Sequence, residues 1–172
     1  MSQTAYIDGF EFAASGARRA GRWPLRALPR LRTSLVDDSG ELRYELRGTQ
    51  DSMGRRALRL KVDGVLHLSC QRCLETMAFP LELDAILVLA ASEAEIDAGA
   101  DDPDEPDRVL ATREMPIGEL IEEEVLLSLP FAPRHAQCGA RHDDPGERRP
   151  SPFAGLSAML DGPQDGEGDR RR

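Results

Sequence analysis

The stretch that decides the fold reads LRLKVDGVLHLSCQRCLETMAFPLELDAILVLA and covers residues 58–90. Its first five residues alternate apolar and charged side chains, which is the period-two pattern of a half-buried strand. A second extended run covers residues 76–90. Because these two runs flank Cys70 and Cys73, we expect a β-hairpin that carries both cysteines at its tip.

The pattern continues on both sides of this hairpin. Residues 41–47 also alternate, whereas Asp63-Gly64 is typical of a tight turn or bulge. Together these runs predict a mainly antiparallel sheet of roughly four strands over residues 41–91. Apolar residues at helical spacing over 117–129, preceded by Pro116, predict one amphipathic helix that packs on the sheet. The expected fold class is therefore α+β.

The remaining segments predict less regular structure. Leucines spaced by three or four residues between 25 and 35, interrupted by prolines, favour a short helix or turn. Residues 92–108 are rich in acids and prolines, so we expect a solvated, disordered loop. The glutamates of the 117–129 helix are expected on a solvated face.

The chain organisation follows from these patterns. We expect a single domain over residues 1–138 and a mostly disordered tail over 139–172. Within the tail, residues 152–160 form an apolar island predicted to dock on the domain or on a partner. Its docking side chains are Phe153, Leu156, Met159 and Leu160.

Charge is distributed unevenly along the 172 residues. The net charge of −9 argues against a simple nucleic-acid binder. Residues 1–73, however, hold 13 basic and 8 acidic residues, a net of +5, whereas residues 74–172 hold 9 basic and 23 acidic, a net of −14. The basic first half is therefore compatible with a nucleic-acid-binding surface. No apolar stretch suits a membrane span or a secretory signal, so we expect a cytoplasmic protein without membrane association.

The cysteines carry the sharpest motif. Cys70-Gln71-Arg72-Cys73 has the spacing with which two thiolates bind one tetrahedral ion, and His135 and Cys138 can complete a Cys₃His set for a structural zinc. His142 and His67 are the substitutes for the histidine. Three alternatives stay open: free reduced thiols, adventitious metal binding without a functional role, and a thiol–disulfide redox pair, which strands on both flanks disfavour.

Basic residues offer a candidate RNA surface, because arginine binds phosphate with a planar fork of donors. The alternative is ordinary pairing with the chain's own acids. No nucleotide-binding or nucleophile motif is present, so we expect no enzymatic activity. The candidate RNA-binding residues are Arg18, Arg19, Arg22, Arg26, Arg30, Arg32, Arg43, Arg55, Arg56, Arg59, Lys61 and Arg72.

An ordered set of motifs resembles one bacterial family. The set comprises Cys70-Gln71-Arg72-Cys73-Leu74, LIEEEVLLSLP over 120–130, Pro133-Arg134-His135 with Cys138 behind it, and SPFAGL over 151–156. It is similar to the YceD family of large ribosomal RNA subunit accumulation proteins. The resemblance implies a cytoplasmic, non-enzymatic factor in synthesis, processing or stability of 23S rRNA.

Three functional hypotheses follow. In the first, the protein serves large-subunit biogenesis by binding large-subunit rRNA or a pre-ribosomal ribonucleoprotein through its basic first half. In the second, it is an adaptor that recruits a ribosomal protein or an RNA-processing enzyme without contacting RNA. In the third, Cys70 and Cys73 make it a thiol oxidoreductase.

Overall fold

The computed structural model describes residues 5–97 and 105–138. The predicted docking segment 152–160, the rest of the tail and part of the predicted acidic loop lie outside these described residues. The elements are β1 Tyr6–Ile7, α1 Gly9–Ala14, β2 Arg18–Pro24, a 3₁₀ turn Leu25–Ala27, α2 Pro29–Arg32, β3 Glu41–Gln50, β4 Arg56–Ser69, β5 Thr76–Ala90, α3 Glu93–Asp97, β6 Arg108–Leu110, β7 Met115–Pro116 and α4 Ile117–Ser128.

The main sheet has five strands in the order β2-β3-β4-β5-β6. The first three pairings are antiparallel, and only the short β6 runs parallel to β5. The α+β class with a mainly antiparallel sheet is thus confirmed. A separate two-stranded pairing joins β1 to β7 just before α4.

The hairpin predicted at the centre of the chain is present. The strands β4 and β5 pair from Ala57 opposite Val88 to Ser69 opposite Thr76. The prediction of a turn or bulge at Asp63-Gly64 is wrong, because β4 runs straight through both residues. Gly64 is needed there for a different reason: a Cβ atom on it would lie 2.7 Å from the Leu42 side chain on β3.

The hydrophobic core lies between one face of the sheet and α4. Leu46, Leu60 and Leu87 of the sheet are fully buried, as are Ile117 and Ile121 on α4. The helix predicted over 117–129 is confirmed as Ile117–Ser128, with Pro116 at the N-cap. Among residues 5–97 and 105–138, no helix combines the length and apolar character needed to cross a bilayer.

Two further sequence expectations need correction. The sheet extends beyond the predicted range of 41–91, because Arg18–Pro24, which shows no alternation, forms an edge strand. The predicted short helix follows it at Pro29–Arg32. Part of the predicted acidic loop is ordered, since Glu93–Asp97 is helical and Arg108 begins β6. The acids of this segment contribute to that order: Glu105 binds Arg108.

The glutamates of α4 are not all solvated, contrary to the sequence expectation. Glu122 is 3% exposed, and its Oε1 accepts hydrogen bonds from the backbone N–H groups of Arg30 and Leu31 at 2.7 and 3.0 Å. These are free N–H groups in the first turn of α2, whose own N-cap provides no side-chain acceptor. Glu122 therefore caps α2 from a different helix.

Glu124 is the second buried acid of α4, with 6% exposure. Burial raises the pKa of its carboxyl group, and the nearby Asp107 and Glu123 carboxylates raise it further. At neutral pH this charge is consequently unfavourable for the folded state.

Candidate metal centre

The turn between β4 and β5 positions the first two cysteines. Cys70 donates its N–H to the Glu75 carbonyl at 2.9 Å, and Leu74 donates to the Cys70 carbonyl at 2.8 Å. Leu74 has φ +64°, a left-handed conformation that is unfavourable for leucine. These contacts close a tight turn in which both thiols point towards the same space.

The segment after α4 brings the other two candidate ligands to this turn. Pro130 ends the helix region, and Gln71 donates its N–H to the Pro133 carbonyl at 2.8 Å. This bond ties residue 133 to the cysteine turn. We call the Cys70–Leu74 turn and residues 130–138 together the tip.

Four donor atoms converge at the tip. Cys70 Sγ lies 3.5 Å from Cys138 Sγ, and Cys73 Sγ lies 3.4 Å from His135 Nδ1. All four ligand atoms lie within 4.8 Å of one another. The structure thus joins the two halves of the Cys₃His set, which 61 intervening residues separate in the sequence.

The spacing fits a tetrahedral zinc ion. Zinc–sulfur bonds of about 2.3 Å at tetrahedral angles place two sulfurs about 3.8 Å apart, and a sulfur and an imidazole nitrogen slightly closer. The observed 3.5 and 3.4 Å are near these tetrahedron edges. With four protein donors the site would be closed, which is typical of structural rather than catalytic zinc.

The electrostatics of the thiols also favour a cation. Backbone N–H groups, that of Cys73 above all and those of Arg72 and His135, lower the pKa of Cys70 to about 5. Burial raises the pKa of Cys138, and the neighbouring sulfurs of Cys70 and Cys73 raise it further. The Cys70 thiol therefore loses its proton readily. A second thiolate beside it is favourable only when a cation lies between the sulfurs.

The substitute histidines do not take part in the described cluster. His67 lies on β4, where it pairs with Ala78 of β5 and approaches Asp37. His142 lies outside the described residues. Within residues 5–97 and 105–138, the Cys70, Cys73, His135 and Cys138 group is the one arrangement of such side chains suited to a metal.

The candidate RNA-binding residues are scattered over several surfaces rather than gathered in one patch. Five lie on the outer face of the main sheet, opposite the core, where they meet carboxylates of the same face. Most of these ion pairs are short. The pairs are Arg18–Glu45, Arg22–Glu41, Arg43–Asp63, Arg59–Asp84 and Lys61–Asp84.

The other candidates lie elsewhere. Arg30 pairs with Glu122 and Glu123, Arg32 with Asp38, and Arg55 with Asp51 and Glu105. Arg56 stacks over the Phe10 ring at 5.6 Å. Among the described residues, Arg19, Arg26 and Arg72 have no carboxylate within ion-pair distance, and Arg72 lies in the cysteine turn.

The tip also exposes residues for which the sequence suggested no binding role. Phe131 is fully exposed, Leu74 is 67% exposed, and Arg134 is exposed next to His135. Phe131 stands between Pro130 and Pro133, which prevent α4 from continuing and burying it. This proline pair is the sequence signal that could have identified an exposed aromatic residue.

Comparison with known proteins finds one family that matches the chain. The family model described as "Large ribosomal RNA subunit accumulation protein YceD" matches residues 58–159. The match covers 102 of the 172 residues and includes the hairpin, α4 and all four candidate metal ligands. No curated protein and no solved structure matches the chain.

Proposed function

The chain belongs to the YceD family, and from this we propose that it acts in the accumulation of 23S rRNA as a non-enzymatic factor of large-subunit biogenesis. The observation that carries this proposal is the family match over residues 58–159. In this role the protein works in the cytoplasm on large-subunit rRNA or on a pre-ribosomal ribonucleoprotein.

The experiment that tests this function measures rRNA in cells. Deleting the gene should lower the ratio of 23S to 16S rRNA, and re-expressing the full chain should restore the ratio. An unchanged ratio in the deletion strain, at several growth temperatures, would remove the proposed function.

The Cys₃His group has a structural role in this proposal. We propose that zinc bound by Cys70, Cys73, His135 and Cys138 fixes residues 130–138 against the hairpin. The convergence of four donors within 4.8 Å supports it. Zinc would supply folding energy here, and the chain's own Gln71 to Pro133 hydrogen bond adds to the same junction.

Ion pairing on the sheet supports a second candidate, a protein-interaction adaptor that recruits a ribosomal protein or a processing enzyme. Eight of the twelve candidate RNA-binding residues already face carboxylates. Exposed ion pairs contribute only ~0–1 kcal/mol each, so an RNA phosphate can replace the carboxylate partner. The carboxylates nevertheless leave the sheet face with little net positive charge. Deleting residues 150–172 separates the candidates: loss of protein partners with RNA binding intact favours the adaptor.

A further inference from the structure

The tip combines an exposed aromatic ring with two exposed arginines that have no carboxylate partner among the described residues. Phe131 presents an entire aromatic ring to solvent. Arg72 and Arg134 are exposed, and among the described residues neither has a carboxylate within ion-pair distance. The nearest carboxylate after the cysteine turn in the sequence, that of Glu75, lies 3.9 Å from Cys73 Sγ.

These residues lie on two segments that are hydrogen-bonded to each other. The Gln71 N–H donates a hydrogen bond to the Pro133 carbonyl and holds the two segments together. Arg72 directly follows Gln71, and Arg134 directly follows Pro133. Phe131, Gln71 and Pro133 also line the same open cleft, of about 530 Å³. Phe131 and the backbones of Arg72 and Arg134 are therefore held at the same end of the hairpin.

A fully exposed aromatic ring and unpaired arginines are the elements with which proteins bind single-stranded nucleic acid. Unpaired bases stack on aromatic side chains. Guanidinium groups bind the phosphates or stack on the bases themselves. Paired bases cannot reach such a ring, so the surface selects unpaired nucleotides. On the sheet face, by contrast, Arg18, Arg22, Arg43 and Arg59 each pair with a neighbouring acid.

A second exposed aromatic beside an unpaired arginine provides a contrast. Tyr6 is 52% exposed and shares a cleft with Arg19. Two acids, Asp8 and Glu11, line that cleft as well. Their negative charge would repel a phosphate chain, so this site should not contribute to RNA binding.

We propose that the tip binds single-stranded RNA, with a base stacked on Phe131 and the flanking phosphates bound by Arg72 and Arg134. This inference rests on the proposed role in 23S rRNA accumulation and deepens it. It places the RNA contact at the hairpin end, where Arg72 is the only one of the twelve candidate RNA-binding residues.

The test measures binding of a fluorescent, unstructured 12-nucleotide RNA to the full-length protein by anisotropy at several salt concentrations. Removing one base-stacking ring weakens binding by a factor of roughly 5 to 150, and we expect this for Phe131→Ala. Phe131→Leu, which keeps an apolar side chain, should show a smaller loss. Arg72→Gln and Arg134→Gln should each lower the slope of log K against log salt by about 0.7.

The matched controls are Tyr6→Ala and Arg19→Gln, which remove an exposed aromatic and an unpaired arginine from the acidic cleft. Both should bind RNA as the wild type does, and a duplex of the same sequence should bind more weakly. Because Phe131 makes no buried contacts, its variants should keep the wild-type circular dichroism spectrum and melting temperature.

The outcomes separate this inference from the proposed function. If the wild type binds the RNA and the tip variants match the controls, the tip is not the RNA site, although RNA binding stands. If the wild type restores 23S rRNA in cells but binds no RNA, and Phe131→Ala fails to restore it, the tip contacts a protein instead. Both results overturn the inference, and an unchanged 23S ratio on deletion overturns the proposed function itself.

Discussion

Replacing Glu122 by alanine tests how α2 is held on α4. The Glu122 carboxylate is buried, and its Oε1 accepts from the N–H groups of Arg30 and Leu31. Oε2 lies 3.4 Å from the Arg30 Nε. Alanine leaves the two N–H groups at the start of α2 without their acceptor, and the contact of the Leu31 N–H is buried.

The expected loss can be worked out from these contacts. A hydrogen bond to a charged group contributes about 1.5 kcal/mol or more, so losing two costs about 3 kcal/mol. The exposed Arg30 guanidinium adds little. The better helix propensity of alanine offsets less than about 0.5 kcal/mol. Glu122→Gln keeps one carbonyl acceptor and should cost only about 1 kcal/mol.

Urea unfolding followed by circular dichroism measures these differences in the free energy of unfolding. For a chain of this size, about 3 kcal/mol corresponds to a drop in Tm of roughly 6–12 °C. The control is Glu123→Ala, because Glu123 is half exposed and pairs only with the Arg30 guanidinium. If Glu122→Ala and Glu123→Ala destabilise equally, Glu122 does not cap α2 and the reasoning is refuted.

Three further changes have defined outcomes. Glu124→Gln should stabilise the protein by ~1 kcal/mol at neutral pH, because burial and Asp107 raise the Glu124 pKa. Below the pKa of the unfolded state the carboxyl group is protonated in both states, so the gain in stability should vanish at pH 4. A gain that does not depend on pH would contradict this. Leu74→Gly should raise stability by about 1 kcal/mol in thermal melts, since it relieves φ +64° at an exposed side chain, and destabilisation would be the opposing result. Gly48→Ala should cost ~3 kcal/mol, because a Cβ there would collide with the Phe12 carbonyl oxygen; an unchanged Tm would show that the contact relaxes.

The features that the sequence predicts correctly are those encoded locally. Strand alternation in β4 and the apolar spacing of α4 depend only on neighbouring residues, so periodicity was sufficient to find them. Two cysteines separated by two residues are typical zinc ligands, and this pattern identified Cys70 and Cys73. The chemistry of these residue types then pointed to His135 and Cys138, which the chain topology brings to the same place.

The features that the sequence did not predict depend on distant partners. The edge strand β2 shows no alternation, and it forms because the long β3 offers a free edge for pairing from Arg18 to Pro24. Charged residue types suggest exposure, but Glu122 is buried because N–H groups 91 and 92 residues away need an acceptor. Asp63-Gly64 is typical of a turn, yet the continuous pairing of β4 with β5 keeps it extended.

The most direct test of the central claim is the zinc content of the full-length protein, purified without an affinity tag and without added metal. We expect about one zinc per chain, bound by Cys70, Cys73, His135 and Cys138, and a large fall in both zinc content and Tm for Cys138→Ser. A strong chelator should lower the wild-type Tm in the same way. A natively folded protein with no zinc, whose Tm neither the chelator nor added zinc changes, would contradict the claim that a metal holds the tip together.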